Sequence, residues 1–524
     1  MQAHETPPAP PAEVPPADRV RPVPPADLIR PVPPRVAWAP VGLVTAGAAA
    51  LLLATLNGYD YHRDELYFRM LGQHPAWGYV DQPPLTPLLG RVSTAIFGDT
   101  LWALRLPSVL CMIAAALLVA LLARELGGGR VAQPLAALAV VSSFGLIGGH
   151  TLLTITPDLL VWSAVLLFAV RALRRDEPRW WLGVGVVTGV GLYNKHLVIL
   201  LLLCLGAALL LVGPRRVLRS GWLWAGAGIA LVLGAPNLVY QATHDWPQLT
   251  MAHALAEHKG DEARLTFVPL QLILLGPPLV PIWIAGLVSL LRNPTLRPVR
   301  ALGVAYLVMC VLLLAIAGQP YYTTGLLYAL YAAGCVATER WLARATVGVR
   351  RRILVGAAVG LNVAVSAVIA LPLLPVAVLA KTPVPDINQV TRDQIGWPAY
   401  VRQVADVYHA LSADEQVRAV IITGNYGEAG AIARYGPAQG LPAVYSGQNE
   451  LWFLARPPES ATVVIVLGVG RDRFFAERFG ACAVVAKLDN GVGIDNEEQG
   501  VGVRVCRDPR RPWRELWPDF QHYD

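Results

Sequence analysis

The sequence predicts a polytopic α-helical membrane protein with about eleven transmembrane helices and a C-terminal external α/β domain. Three observations carry that expectation. Of 524 residues, 55% are hydrophobic and only 15% charged, whereas soluble domains carry about a quarter charged residues. Apolar runs recur over the first two thirds of the chain, each long enough to cross a hydrocarbon core about 30 Å thick. Beyond residue 380 they give way to short β-branched runs alternating with helical patterns, the mark of a compact α/β unit. A mean hydropathy of +0.47 agrees.

Residues 1–35 are proline-rich and nearly free of aromatics. Such a segment favours extended conformations and cannot bury a core, so a disordered tail is expected. It lacks the charged start and immediate apolar stretch of a signal peptide. Eleven candidate spans follow at roughly 38–57, 104–123, 132–149, 157–173, 180–194, 197–213, 222–240, 267–290, 300–317, 324–341 and 353–372. Together, residues 36–380 read as the membrane domain, with a long external loop at 58–101.

Arginines orient the spans. Arg124 and Arg130, Arg171 to Arg179, Arg215 to Arg219, Arg292 to Arg300 and Arg340 to Arg352 fall in alternate loops, on the side of the arginine-bearing tail. The positive-inside rule makes that side cytoplasmic, and an odd number of spans then puts residues 381–524 outside. The net charge of +7 lies mostly in these loops, which argues for membrane orientation and against nucleic acid as a partner.

Within 381–524, "VRAVIITGNYGEAGAIARYG" reads as strand, glycine-bearing turn and helix, and "ATVVIVLGVGRDRFFAERFG" repeats the pattern. "LGVGRD" lacks the third spaced glycine and the lysine of a phosphate loop, so it reads as a plain turn. Cys482 and Cys506 are the only cysteines in this polar part. They form a disulfide only if their strands are neighbours in an oxidising compartment. No C-x-x-C or His/Cys spacing names a metal or cofactor, and a divalent metal ion is left open.

Polar groups gather on the external side. "YDYHRDELYF" brings Asp60, His62, Arg63, Asp64 and Glu65 together just past the first span, and "GYVDQPPL" supplies Asp81. "TPDLL" places Asp158 at the head of the fourth span. "LYNKHLV" inserts Asn194, Lys195 and His196 between two apolar runs, and "QPYYTTG" adds Tyr321 and Tyr322. Charges at that depth are costly in lipid and should face the interior, a cavity or a partner. Solvated loop ends explain His74, His244, His253, His258 and Lys259 well, but explain Asp64, Glu65, Asp81, Asp158 and Lys195 poorly.

That ordered set resembles the polyprenyl-phosphate-dependent glycosyltransferases of family 39, which include lipid A aminoarabinose transferases and protein O-mannosyltransferases and have the GT-C fold. The resemblance covers residues 38–345 best, and "NYGEAGAIARYGPAQGLPAVYSGQNELWF" looks like the external domain of bacterial members. It implies an inverting transferase working at the outer face of the membrane. The sugar would pass from a polyprenyl-phosphate-linked donor to a lipid, glycan or protein acceptor in the cell envelope. It implies Asp64 as the catalytic base with Glu65 supporting it, Asp81 and Asp158 as the acids of the external loops, and Lys195 as a lipid-phosphate contact. Arg63, His196, Tyr321 and Tyr322 complete the expected substrate-binding set. Gln82 and Gln319 depart from the histidine and lysine of many relatives, so a metal or phosphate role does not carry over there. A transporter or lipid-linked-sugar flippase is the alternative. It fits less well, because no internal repeat is visible and the polar groups lie at one end rather than at the midplane.

Overall fold

A computed structural model describes residues 33–344, 348–468 and 472–524. The first 32 residues of the proline-rich tail and the middle of the "LGVGRD" turn lie outside the described residues.

Each of the eleven apolar segments is helical. The chain begins with α1 (Trp38–Thr55), the short α2 (Arg63–Leu71) and α3 (Leu85–Phe97) of the long loop, and α4 (Leu101–Glu125). Next come α5 (Ala132–Val140), α6 (Phe144–His150), α7 (Ile155–Arg174), α8 (Trp180–Gly191), α9 (Leu197–Val212) and α10 (Gly221–Thr243). The set closes with α11 (Pro247–Ile273), α12 (Val280–Arg292), α13 (Ala301–Ala315), α14 (Thr324–Ala343) and α15 (Gly348–Ala370). Five of these, α1, α4, α7, α10 and α15, are long and apolar enough to cross a membrane, or up to seven spans if each bent pair counts as one. Helices α8, α9 and α13 are shorter apolar helices.

Two segments that read as single spans are bent pairs. The axis turns by 62° between α5 and α6, and by 66° between the second half of α11 and the start of α12. A bend frees backbone carbonyls that lipid cannot satisfy. Asn362 of α15 serves both breaks: its Nδ2 donates to the carbonyl of Leu275 (3.1 Å) and to that of Ser142. An amide in an otherwise apolar span thus has a backbone purpose.

The interior is built around α7, which is 83% buried over its apolar window, against 17% for α1 and α15 on the periphery. Close approach replaces the hydrophobic effect as the means of joining helices in lipid. A Cβ on Gly286 of α12 would sit 1.8 Å from the Leu330 carbonyl of α14, and one on Gly334 would sit 1.9 Å from the Ile282 carbonyl. Helix α7 also gives the molecule its polarity. Asp158 stands in its first turn and Arg171 and Arg174 in its last, about 20 to 24 Å away at 1.5 Å per residue. At the arginine end, Arg171 and Arg175 converge on the buried Glu125 at 3.1 and 2.5 Å.

The C-terminal part comprises α16 (Trp397–His409), β1 (Ala419–Thr423), α17 (Tyr426–Tyr435), β2 (Val444–Ser446), β3 (Val463–Leu467), β4 (Phe479–Lys487) and β5 (Gly502–Pro509). The strands form one sheet in the order β2-β1-β3-β5-β4. β1 pairs in parallel with β2 and β3, and β5 runs antiparallel to β3 and β4. Every residue of β1 and β3 is buried, as central parallel strands covered on both faces require. Strands β4 and β5 are neighbours, Cys482 lies opposite Cys506, and the two are joined in a disulfide.

Candidate active site

Helix α2 begins with a capping box. The Asp64 amide donates to His62 Nδ1 (3.2 Å), and the His62 amide donates to Glu65 Oε2 (2.8 Å). This turns Glu65 back into the protein, where it is fully buried. Arg105 of α4 grips it with Nε on Oε1 and Nη2 on Oε2, both at 2.8 Å, and the Leu152 amide adds a third donor at 2.9 Å. The same guanidinium donates to the carbonyls of Leu56 (2.9 Å), Gly58 (3.2 Å) and Asp60 (2.8 Å). Glu65, expected to be catalytic, is therefore a strut with both oxygens engaged, and Arg105 fixes the chain between α1 and α2. An arginine inside an apolar run was the available signal for this pair.

Asp64 diverges from Glu65, as adjacent helical residues must, by about 100°. Its side chain keeps 30% exposure. Tyr426 at the start of α17 donates its hydroxyl to Asp64 Oδ1 at 2.9 Å. His62 Nδ1 and Arg63 Nε stand 3.9 and 3.8 Å from the same oxygen. Among the described residues the hydrogen bond to this carboxylate falls on Oδ1.

The Tyr426 ring stacks on Tyr67 at 4.6 Å, and Tyr67 donates to Asp81 Oδ1 at 2.9 Å. Glu450, also from the C-terminal part, accepts from the Val80 amide at 2.8 Å, while its own amide donates to Tyr67 Oη at 3.3 Å. Burial pushes the Asp81 and Glu450 carboxyls up to about 7 each. Tyr426 and Glu450 lie within the family-like stretch of the C-terminal part, but only the long-range fold shows that they reach the loop.

Lys195 closes the other side. Its Nζ lies 5.0 Å from the Tyr322 ring centre and 5.8 Å from that of Tyr321, and the two rings meet edge to face at 4.9 Å. The Lys195 charge reaches Asp158, and those of Asp64 and Asp158 reach Tyr321. Asp158, Lys195, Tyr321 and Tyr322 are thus near one another, with Tyr321 within electrostatic reach of Asp64.

Two other expected substrate contacts are committed elsewhere. His196 Nε2 pairs with Asn237 Oδ1 at 2.8 Å, and Asn237 in turn donates to the Trp77 carbonyl at 2.7 Å. This pins the "WGYVDQPP" loop to α10. The Arg63 guanidinium is hydrogen-bonded to Glu497 and lies 5.3 Å from the Tyr426 ring centre. It ties α2 to the C-terminal part instead of awaiting a phosphate. Among the described residues, no group of three or more His, Cys, Asp or Glu side chains is arranged to hold a metal ion.

Comparison with known proteins bears on this geometry. Residues 81–240 match the family model described as dolichyl-phosphate-mannose-protein mannosyltransferase. That stretch holds Asp81, Asp158 and Lys195 but neither Asp64 nor Tyr426. A curated relative is undecaprenyl phosphate-alpha-4-amino-4-deoxy-L-arabinose arabinosyl transferase 1 of Pseudomonas fluorescens, 29% identical over 197 residues. The match spans 34% of this chain and 34% of that relative. ArnT from Cupriavidus metallidurans bound to undecaprenyl phosphate superposes with a TM-score of 0.57 at 16% identity, covering 90% of this chain and 98% of that one. Its apo form gives 0.57 at 15% identity, covering 89% and 97%. The GT-C fold and the resemblance to family 39 glycosyltransferases are borne out.

Proposed function

We propose that this chain, a multi-span membrane protein of GT-C fold, transfers a sugar with inversion from a polyprenyl-phosphate donor to an acceptor at the outer face of the membrane. The observation that carries the reading is the Asp64 carboxylate: partly exposed, held through Oδ1 by Tyr426, and within electrostatic reach of Tyr321, against which Lys195 packs. The ArnT structure bound to undecaprenyl phosphate supports a lipid-phosphate donor.

In this reading Asp64 Oδ2 takes the acceptor hydroxyl's proton while that oxygen bonds the anomeric carbon. The carbon–oxygen bond to phosphate breaks with its electron pair on the phosphate, and polyprenyl phosphate leaves. Inverting glycosidases use one carboxylate in the same way to activate water. Charge grows on the leaving phosphate, and a fixed cation beside it stabilises that charge. Lys195 fills this role, with the Tyr321 and Tyr322 rings holding its ammonium. The transporter or flippase alternative is not favoured, since the relatives found are transferases.

The test is transfer from a radiolabelled polyprenyl-phosphate sugar by purified protein. Lys195→Ala is expected to weaken donor binding as well as rate, because a cation on phosphate acts in both ground and transition states. Unchanged donor affinity in that variant would remove Lys195 from the phosphate site.

The proposed orientation puts the tail in the cytoplasm and residues 381–524 outside, consistent with the arginine end of α7 and with the Cys482–Cys506 disulfide. Reporter fusions after Arg35 and after Lys381 are expected to report opposite sides of the membrane. A common side would overturn the orientation and the outer-face location of the chemistry.

A further inference from the structure

We propose that Tyr426, carried by the C-terminal α/β part, is a positioning residue for the Asp64 base, so that this part completes the catalytic centre. The inference rests on the transferase reading above. It starts from the "NYGEAGAIARYG" stretch, whose glycines have a steric purpose. A Cβ on Gly430 would lie 2.6 Å from Leu66 Cβ and 2.9 Å from the Leu66 carbonyl carbon. A Cβ on Gly427 would lie 2.8 Å from Arg63 Cβ. Helix α17 therefore seats directly on α2, closer than any larger residue at these positions permits.

The first turn of α17 is fixed from within its own domain. Asn425 Oδ1 accepts from the Glu428 amide (2.8 Å), Glu428 Oε2 accepts from the Asn425 amide (3.2 Å), and the Tyr426 amide donates to Gln448 Oε1 (2.7 Å). The Tyr426 ring is then confined by its stack on Tyr67 and by the Arg63 guanidinium. A ring packed against Tyr67 and Arg63 has little freedom to point its hydroxyl elsewhere, and that hydroxyl meets Asp64 Oδ1. With Oδ1 engaged, the carboxylate is kept in one orientation and Oδ2 is presented for the acceptor's proton. Near-attack geometry of this kind is where a small displacement costs a large factor in rate.

The experiment compares full-length Tyr426→Phe, Gly430→Ala and Asp64→Asn with wild type, measuring kcat, donor KM and the thermal midpoint. Tyr426→Phe keeps the stacked ring and removes only the donor. It is expected to lower kcat about tenfold at unchanged donor KM and unchanged thermal midpoint. Gly430→Ala, whose new methyl lifts α17 off Leu66, is expected to lower kcat with donor KM likewise unchanged. A Tyr426→Phe enzyme with wild-type kcat, beside an inactive Asp64→Asn, overturns the inference and leaves the base assignment standing. A fall in kcat that comes with a raised donor KM or a lowered thermal midpoint in Tyr426→Phe also overturns it, as a merely structural role. If Asp64→Asn is itself fully active, the transferase reading of the site fails first.

Discussion

Asp64→Asn is expected to cut sugar transfer by about 10²-fold or more, within the range for removing a positioned general base, with thermal stability and donor binding close to wild type. The amide is nearly isosteric with the carboxylate. Its oxygen keeps the Tyr426 hydroxyl bond now made to Oδ1, so α17 has no reason to lift from α2. What changes is the Oδ2 position, where an NH₂ group replaces an oxygen able to accept a proton. The loss should therefore fall on kcat and leave the donor KM in place, because the charge matters only as the acceptor hydroxyl gives up its proton. Purified variants of matched thermal stability and a radiolabelled donor make the comparison clean. Wild-type transfer by Asp64→Asn would move the base assignment to Asp81 or Asp158. Asp158 is buried, and the half-buried Asp81 is already bonded to Tyr67.

Legibility in the sequence followed the range of the interaction. Apolar runs are local, so all eleven segments proved helical, and the strand–turn–helix reading of "VRAVIITGNYGEAGAIARYG" became β1 and α17. The bends at 141–143 and 274–276 escape hydropathy, which averages across a break. Their traces in the sequence are Gly276-Pro277-Pro278 at the second and the polar Asn362 and Ser366 in an apolar run. Asp158 and Lys195, at the ends of apolar segments, stand out in the sequence because a charge next to lipid needs a reason. Tyr426 does not, since it sits 362 residues from Asp64 and is one of many polar-tipped aromatics in the C-terminal part. His196 and Arg63 are polar groups at the same surface, and in the structure they bond to Asn237 and Glu497.

The same distinction between a charge that reacts and a charge that holds separates Glu65 from its neighbour. The family resemblance implies Glu65 as support for the Asp64 base; its burial against Arg105 makes Glu65→Gln a stability lesion. Glu65 and Arg105 are both fully buried, and breaking a buried pair by neutralising one partner typically costs about 3–5 kcal/mol, because the other charge is left uncompensated. Glu65→Gln and Arg105→Met are therefore expected to lower the thermal midpoint in detergent sharply. The fraction of Glu65→Gln that remains folded should still transfer sugar, since Asp64 keeps its partners. Replacing both residues with Leu is often neutral for an isolated buried pair, but it should not restore stability here. Arg105 also donates to the carbonyls of Leu56, Gly58 and Asp60, and each buried acceptor left unsatisfied costs about 1–3 kcal/mol. The double variant should accordingly stay well below wild type in a thermal melt. A Glu65→Gln protein as stable as wild type yet inactive would place Glu65 in the chemistry after all.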